Sequence, residues 1–217
     1  ALVAFTPSTG AVLAVAQNKH ADQGPIALSG LYPPGSTFSL VTEAAEGESA
    51  RALVQAANSL GLNSNFAIPG IATEAGAVRK VSDALQLAEL RQGHGEAKAS
   101  PFGLALVAAT VAAGKQVTPQ FWASDPTKVI KSYPPPGEET LTAMRAALRA
   151  NVTDGSASAL QSRGEVHGVT GTAKAGNGVR HSWFAGYADD VAFAVLVEDG
   201  GSERPAVAVS GKFLGGF

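Results

Sequence analysis

The sequence contains no cysteine and carries little charge of either sign. The missing cysteine excludes disulfides, thiolate metal ligands and cysteine nucleophiles. Charged residues make up 16% of the 217 positions and the net charge is −2, so the chain lacks the basic excess with which a dedicated nucleic-acid-binding protein neutralises phosphates. No apolar run reaches about 18 residues, the length that predicts a membrane-spanning helix. The hydrophobic fraction of 45% excludes whole-chain disorder and predicts a sizeable core.

Turn-forming residues divide the chain into an initial hairpin, a helical middle and a final group of strands. Residues 2–5 and 11–15 are apolar and flank a Pro- and Gly-containing turn, which predicts a β-hairpin. Capping residues beside apolar residues at helical spacing predict five helices, over residues 49–60, 82–90, 100–113, 138–150 and 205–214. Ser82 is the predicted N-cap of the second of these helices. The predicted late strands are 166–173, 182–187 and 191–197. This order predicts an α+β fold with helices packed on a mostly antiparallel sheet.

Five segments, taken in chain order, carry a common pattern. They comprise a first hairpin, a Pro-Gly-Ser turn before a helix, a glycine-rich stretch leading into an apolar helix, a Gly-Thr strand and the strand beside it: 7–14 (PSTGAVLA), 32–38 (YPPGSTF), 93–114, 168–173 (GVTGTA) and 181–187 (HSWFAGY). The chain therefore resembles the transpeptidase domain of penicillin-binding proteins, whose fold is shared with serine β-lactamases. The resemblance covers nearly the whole chain and implies a single transpeptidase-like domain, residues 1–217.

The resemblance implies an acyl-transfer site around Ser36. In this family a serine at a helix start attacks a D-Ala-D-Ala peptide or a β-lactam, and a lysine one turn later accepts its proton. A Ser-x-Asn motif supplies a second hydroxyl and an amide, and a Lys-Thr-Gly strand binds the substrate carboxylate. Backbone N–H groups of the serine and of the residue after Lys-Thr-Gly form the oxyanion hole. Ser36 is thus the expected catalytic residue, and Thr170, Gly171 and Thr172 are the expected substrate-binding residues.

The sequence departs from the family pattern at each motif. Ser39 and Val169 stand where the first and third motifs have lysine, and the chain contains neither Ser-x-x-Lys nor Ser-x-Asn. Loss of a general base lowers a rate by about 10²–10⁴, and groups that act as a unit fail together. We therefore expect an impaired enzyme in which Ser36 is acylated very slowly or not at all. Two alternatives remain: an active D,D-transpeptidase with an unusual base such as Lys174, and a non-catalytic scaffold for envelope proteins.

The Ser-x-Asn motif is missing at an unusually short connection. The family has a few tens of residues around that motif, whereas here residues 41–45 run almost directly into 46–49. Either the natural protein has no such segment, or it has one near residues 45–46 that this sequence does not include. The chain opens on a strand-like segment, so no signal peptide is expected within it.

The resemblance also implies where the domain works and what it meets. It implies peptidoglycan (cell-wall) assembly at the extracytoplasmic face of the bacterial cytoplasmic membrane, with the anchor outside this chain. The expected ligand is a peptidoglycan stem peptide or a β-lactam, bound weakly because Val169 removes a positive charge; envelope or divisome proteins are the expected protein partners. We expect no nucleic-acid partner, no membrane segment and no cofactor. No metal site is expected either, because the histidines have no metal-ligand spacing: His20, His94, His167 and His181.

Overall fold

The computed structural model describes residues 1–19 and 24–216. Its strands are β1 (Leu2–Phe5), β2 (Val12–Ala16), β3 (Asn65–Ala67), β4 (Gly76–Val78), β5 (Ala97–Ala99), β6 (Lys128–Lys131), β7 (His167–Lys174), β8 (Arg180–Ala188) and β9 (Val191–Val197). Its α-helices are α1 (Ile26–Ser29), α2 (Ser39–Ala44), α3 (Ala50–Ser59), α4 (Ala84–Arg91), α5 (Pro101–Ala113), α6 (Glu138–Thr153) and α7 (Arg204–Leu214). Two 3₁₀ segments complete these elements: Gly35–Phe38 and Ser158–Arg163.

A five-stranded sheet in the order β2-β1-β9-β8-β7 forms the centre of the fold. Every neighbouring pair in this sheet is antiparallel. The N-terminal hairpin joins the C-terminal strands through β1 and β9, where Leu2 lies opposite Val195. Because β7 is the last strand, one of its edges remains open to other parts of the molecule. The predicted α+β class with a mostly antiparallel sheet is confirmed.

Helices cover both faces of this sheet. On one face lies α5, whose residues from Pro101 to Val111 are all buried, as its uniformly apolar sequence requires. The Phe102 ring meets Phe5 of β1 edge-on at 5.6 Å between centroids. On the other face α7 packs against β8 and β9. The sheet is therefore held between two hydrophobic layers, which fixes the position of its open edge.

Several predicted helix ends are confirmed by their caps. The Ser49 and Ser100 side chains accept hydrogen bonds from the N–H groups three residues later, as N-caps do. The predicted cap Ser82 is wrong, because Asp83 accepts from Gln86 and α4 starts one residue later. Both residue types cap well, so the sequence pattern does not separate them.

The sequence patterns missed the shortest elements. The two-stranded pairs β3–β6 and β4–β5 have strands of three or four residues, too short for alternation to be recognised. Residues 45–49 lead directly from α2 to the N-cap of α3, without room for a Ser-x-Asn segment between them. The single-domain organisation stays a prediction.

Candidate active site

Ser36 lies on a tightly held turn that leads into α2. The turn is the 3₁₀ segment Gly35–Phe38, and the Gly35 N–H donates to the Gly93 carbonyl at 3.1 Å. Gly35 has a φ of +55°, and a Cβ there would lie 2.2 Å from the Thr172 carbonyl oxygen, so only glycine fits. Ser36 is exposed while its neighbours in the turn are buried. The turn thus presents one hydroxyl to solvent from an immobilised backbone.

The open edge of β7 runs beside this turn. The Gly168 carbonyl accepts a hydrogen bond from the end of α6 at 2.8 Å, and the Lys174 N–H donates to His94 Nε2 at 3.3 Å. Backbone groups of alternate residues in an antiparallel strand point to the same side. The N–H and C=O groups of Thr170 and Thr172 therefore also point to the open edge. This edge can pair with an extended peptide as an additional strand would.

The structure brings the predicted catalytic serine next to two of the predicted binding residues. A Cβ on Gly171 would lie 2.6 Å from the Thr37 nitrogen and 3.3 Å from the Ser36 carbonyl carbon. Thr172 lies against Gly35, the residue that precedes Ser36. The turn and the strand therefore meet through bare backbone. Ser36 therefore lies close to both Gly171 and Thr172.

Thr170 is adjacent but its hydroxyl is already engaged. Asn151 of α6 donates through Nδ2 to the Gly168 carbonyl, and its Oδ1 accepts from the Ser156 hydroxyl at 3.1 Å. Ser156 Oγ also forms a short hydrogen bond with Thr170 Oγ1. Since Ser156 gives its single proton to Asn151, Thr170 is the donor in that bond. To donate to a substrate carboxylate, Thr170 must first release Ser156. Neither Asn151 nor Ser156 is among the site residues predicted from the sequence.

No described residue replaces the missing lysines beside Ser36. The Ser36 and Ser39 hydroxyls make no hydrogen bond with any residue in the described part of the chain. Val169 is half-buried and packs against the hydrophobic core. Lys174 is exposed, and its amine has no hydrogen-bonding or ionic partner among residues 1–19 and 24–216. The ionisable residue of α2 is Glu43, where desolvation raises the pKa of the carboxyl.

A second group of side chains contacts the segment that leads into the Ser36 turn. Tyr32 donates its hydroxyl to Glu198 Oε1 at 2.7 Å, and Trp183 Nε1 donates to the Pro33 carbonyl at 3.0 Å. The buried His181 ring meets the Tyr32 ring edge-on at 5.1 Å between centroids. Burial raises the pKa of Tyr32 and lowers that of His181. The sequence analysis assigned no role to these residues.

The described residues offer neither a metal cluster nor a membrane span. Within residues 1–19 and 24–216, no group of three or more His, Asp or Glu side chains is arranged to hold a metal ion. His94, His167 and His181 lie apart and bond to backbone groups, whereas His20 lies outside the described residues. None of the helices in this part of the chain combines the length and apolar character that crossing a bilayer requires.

Comparisons with known proteins agree with this architecture. A family model described as the penicillin binding protein transpeptidase domain matches residues 49–214. Penicillin-binding protein A from M. tuberculosis, a ceftriaxone acyl-enzyme complex, superposes with a TM-score of 0.78 at 18% identity over 98% of this chain and 72% of that chain. The PBP2–MreC complex from Helicobacter pylori gives 0.78 at 15% identity, covering 98% of this chain and 58% of that one.

A third likeness comes from a larger assembly. A chain described under structural coordination of polymerization and crosslinking by a peptidoglycan synthase complex gives a TM-score of 0.69 at 19% identity, over 98% of this chain and 54% of that one. No curated protein sequence matches this chain. The family match begins after Ser36, so it rests on α3 to α7 and β3 to β9 rather than on the nucleophile segment.

Proposed function

This chain belongs to the penicillin-binding protein transpeptidase domain family, and we propose that it is a catalytically impaired, penicillin-binding domain of peptidoglycan assembly. One observation carries the proposal: the exposed Ser36 turn is held against the open edge of β7, yet no described residue hydrogen-bonds the Ser36 hydroxyl. We infer from this that Ser36 is placed for acyl transfer but has no proton acceptor among residues 1–19 and 24–216.

The ligand class follows from the chemistry of the β7 edge. The outward backbone groups of Thr170 and Thr172 suit an extended D-Ala-D-Ala stem peptide, or the β-lactam that mimics it. N–H groups near Ser36 and Thr172 suit a developing oxyanion. An anionic ligand binds weakly, because Val169 offers no charge for its carboxylate and the Thr170 hydroxyl already donates to Ser156. Gly171 contributes by admitting the turn rather than by contacting the ligand.

The impairment follows from the hydroxyl's lack of a base. A serine hydroxyl is a weak nucleophile unless a neighbouring group takes its proton, and this contribution amounts to about 10²–10⁴ in rate. Lys174, the alternative base, is exposed at the end of β7, and no hydrogen bond joins it to Ser36 in the described part of the chain. The domain therefore retains binding and oxyanion stabilisation as its residual catalytic resources.

A scaffold role is the second candidate, favoured by the assemblies in which similar folds occur. One structural neighbour is described in complex with MreC and another within a peptidoglycan synthase complex. We propose that this domain likewise meets envelope proteins at the extracytoplasmic face of the cytoplasmic membrane, through an anchor outside this chain. Recovery of such partners equally by the wild type and by Ser36→Ala would favour scaffolding over catalysis.

Incubation with a fluorescent penicillin followed by mass spectrometry tests the main proposal. The wild type is expected to label over hours or not at all, with any adduct located on Ser36 and absent from Ser36→Ala. Ser39→Ala is the matched control, since it removes a hydroxyl one turn away and is expected to leave the slow rate unchanged. Rapid stoichiometric labelling of wild-type Ser36 would overturn the impairment, and Lys174→Ala would then test the alternative base.

A further inference from the structure

We propose that Tyr32, His181 and Glu198 form an acid-sensitive clamp that positions the Ser36 turn. Tyr32 comes from the segment before the turn, His181 from β8, and Glu198 from the turn directly after β9. None of them reaches the Ser36 hydroxyl, so they are positioning residues. The inference rests on the proposed function only in taking Ser36 as the residue whose position matters.

Tyr32 connects the clamp to the turn. Its backbone N–H and C=O pair with Ala99 at 3.0 and 2.9 Å, and its hydroxyl donates to Glu198 Oε1 at 2.7 Å. Pro33 and Pro34 follow, and their rings fix φ, which makes the path from Tyr32 to Gly35 stiff. The backbone between Tyr32 and the turn therefore has little freedom to absorb a change in the position of Tyr32.

His181 holds the other side of the clamp in its neutral form. Its Nδ1 accepts a hydrogen bond from the Asp199 N–H at 3.3 Å, so Nδ1 carries no proton and Nε2 carries it. The ring lies perpendicular to the Tyr32 ring, with an interplanar angle of 90°. His181 thus contacts Tyr32 directly, and it holds the residue that follows Glu198.

Protonation of His181 disrupts this arrangement. A proton on Nδ1 turns the acceptor into a donor, which leaves the Asp199 N–H facing an N–H group. Asp199 has a φ of +50°, a left-handed conformation that is uncommon outside glycine but that Asp tolerates, and the His181 hydrogen bond supports it. When that support is lost, the backbone at Asp199 can relax and carry Glu198 away from the Tyr32 hydroxyl. The clamp then opens and the Ser36 turn loosens.

The charges around His181 set the pH at which this happens. Burial lowers the His181 pKa, and the carboxylates of Glu198 and Asp199 oppose that shift. Tyr32 faces the ring as an uncharged phenol, and from β7 the apolar Ala173 lies opposite His181. The Ala1 amino group interacts with Glu198 from the start of β1. The clamp is therefore closed at neutral pH and opens only in acid, below the ordinary histidine range.

Hydrogen exchange of the full chain, read by mass spectrometry over residues 30–40, tests the clamp without requiring acylation. After correction for intrinsic exchange, protection of the wild type is expected to fall by up to about tenfold per pH unit as the pH drops from the ordinary histidine value of 6.5 to the lowered His181 pKa of the closed clamp, and to level off below it. His181→Asn places an uncharged acceptor near the Nδ1 position, and its protection is expected to be independent of pH. Tyr32→Phe is expected to lose protection at every pH, because the Glu198 contact is gone.

A matched substitution and a second measurement make the result decisive. His167→Asn alters another histidine whose pKa burial lowers, at the opposite end of β7, and is expected to keep the wild-type pH response. Nitrogen NMR of His181 in the wild type is expected to show the Nε2–H tautomer. Unchanged protection of the wild type in acid, a pH response that persists in His181→Asn, or a proton on Nδ1 of neutral His181 would each overturn the clamp. Failure of the domain to bind penicillin at all, covalently or reversibly, would sink the proposed function and leave these readouts intact.

Discussion

Restoring a positive charge at position 169 should strengthen the binding of anionic ligands. Val169 is half-buried on β7, next to Thr170 and close to the Ser36 turn. A lysine amine about 4 Å from a carboxylate gains about 1 kcal/mol in water and about 4 kcal/mol at an effective dielectric of about 20. Because the site is open to solvent on the Ser36 side, we expect a gain of about 1–2 kcal/mol for Val169→Lys, or about five- to thirty-fold in affinity.

Calorimetry with an anionic penicillin measures this gain, on a Ser36→Ala background so that no adduct forms. The gain should shrink at about 1 M salt, where the screening length is about 3 Å. Val169→Met is the matched control, because it supplies a similar unbranched stem without the charge and is expected to leave the affinity unchanged. Equal affinities with and without the Val169→Lys substitution, or an equal gain with methionine, would refute the electrostatic reasoning.

Two further predictions concern the missing base and the effect of acid. Ser39→Lys combined with Val169→Lys is expected to raise the rate of Ser36 acylation by a factor approaching the about 10²–10⁴ that a general base contributes. Fluorescent penicillin labelling measures this rate. A rate equal to that of the wild type would contradict the assignment of position 39 as the place of the base. Burial lowers the pKa of His167 and His181 from 6.5, so the unfolded chain takes up protons first. Their contribution to the free energy of unfolding is complete above about pH 6.5 and is lost as the pH falls from there through the folded-state values. Urea titrations at several pH values should show this loss of unfolding free energy in acid. The loss should be smaller in a variant that combines His167→Asn with His181→Asn.

The sequence predicted those features whose physical cause is local. Ser100 before a proline and an apolar run identified the start of α5, because a cap acts within one turn. The resemblance, which combines distant segments, placed Ser36 near Gly171 and Thr172. By contrast, the Tyr32–Glu198 hydrogen bond joins residues 166 positions apart, and nothing in either local sequence indicates it.

The polar network around Thr170 shows a different limit. Thr170 was predicted to bind substrate, and its backbone does face the open edge. Its hydroxyl, however, donates to Ser156, which in turn donates to Asn151 at the end of α6. The direction of these bonds depends on how many protons each partner supplies, which the sequence of a single strand cannot determine. The place of Thr170 on the strand was therefore predictable from the sequence, while the hydrogen bond made by its hydroxyl was not.

Folding stability does not favour a lysine at position 169, one of the two positions where the family pattern has lysine. An ammonium group placed at position 169 without polar partners would carry an uncompensated desolvation penalty, since the Val169 side chain packs partly against the core. Ser39 and Val169 avoid that penalty, whereas Gly35 and Gly171 preserve the contact between turn and strand. Stability therefore does not require a lysine at position 39 or 169, and the contact between turn and strand does not depend on one. It follows that Val169→Lys should lower the free energy of unfolding by about 1 kcal/mol even as it strengthens ligand binding. A variant that gained on both measures would show that position 169 has polar partners for an ammonium group.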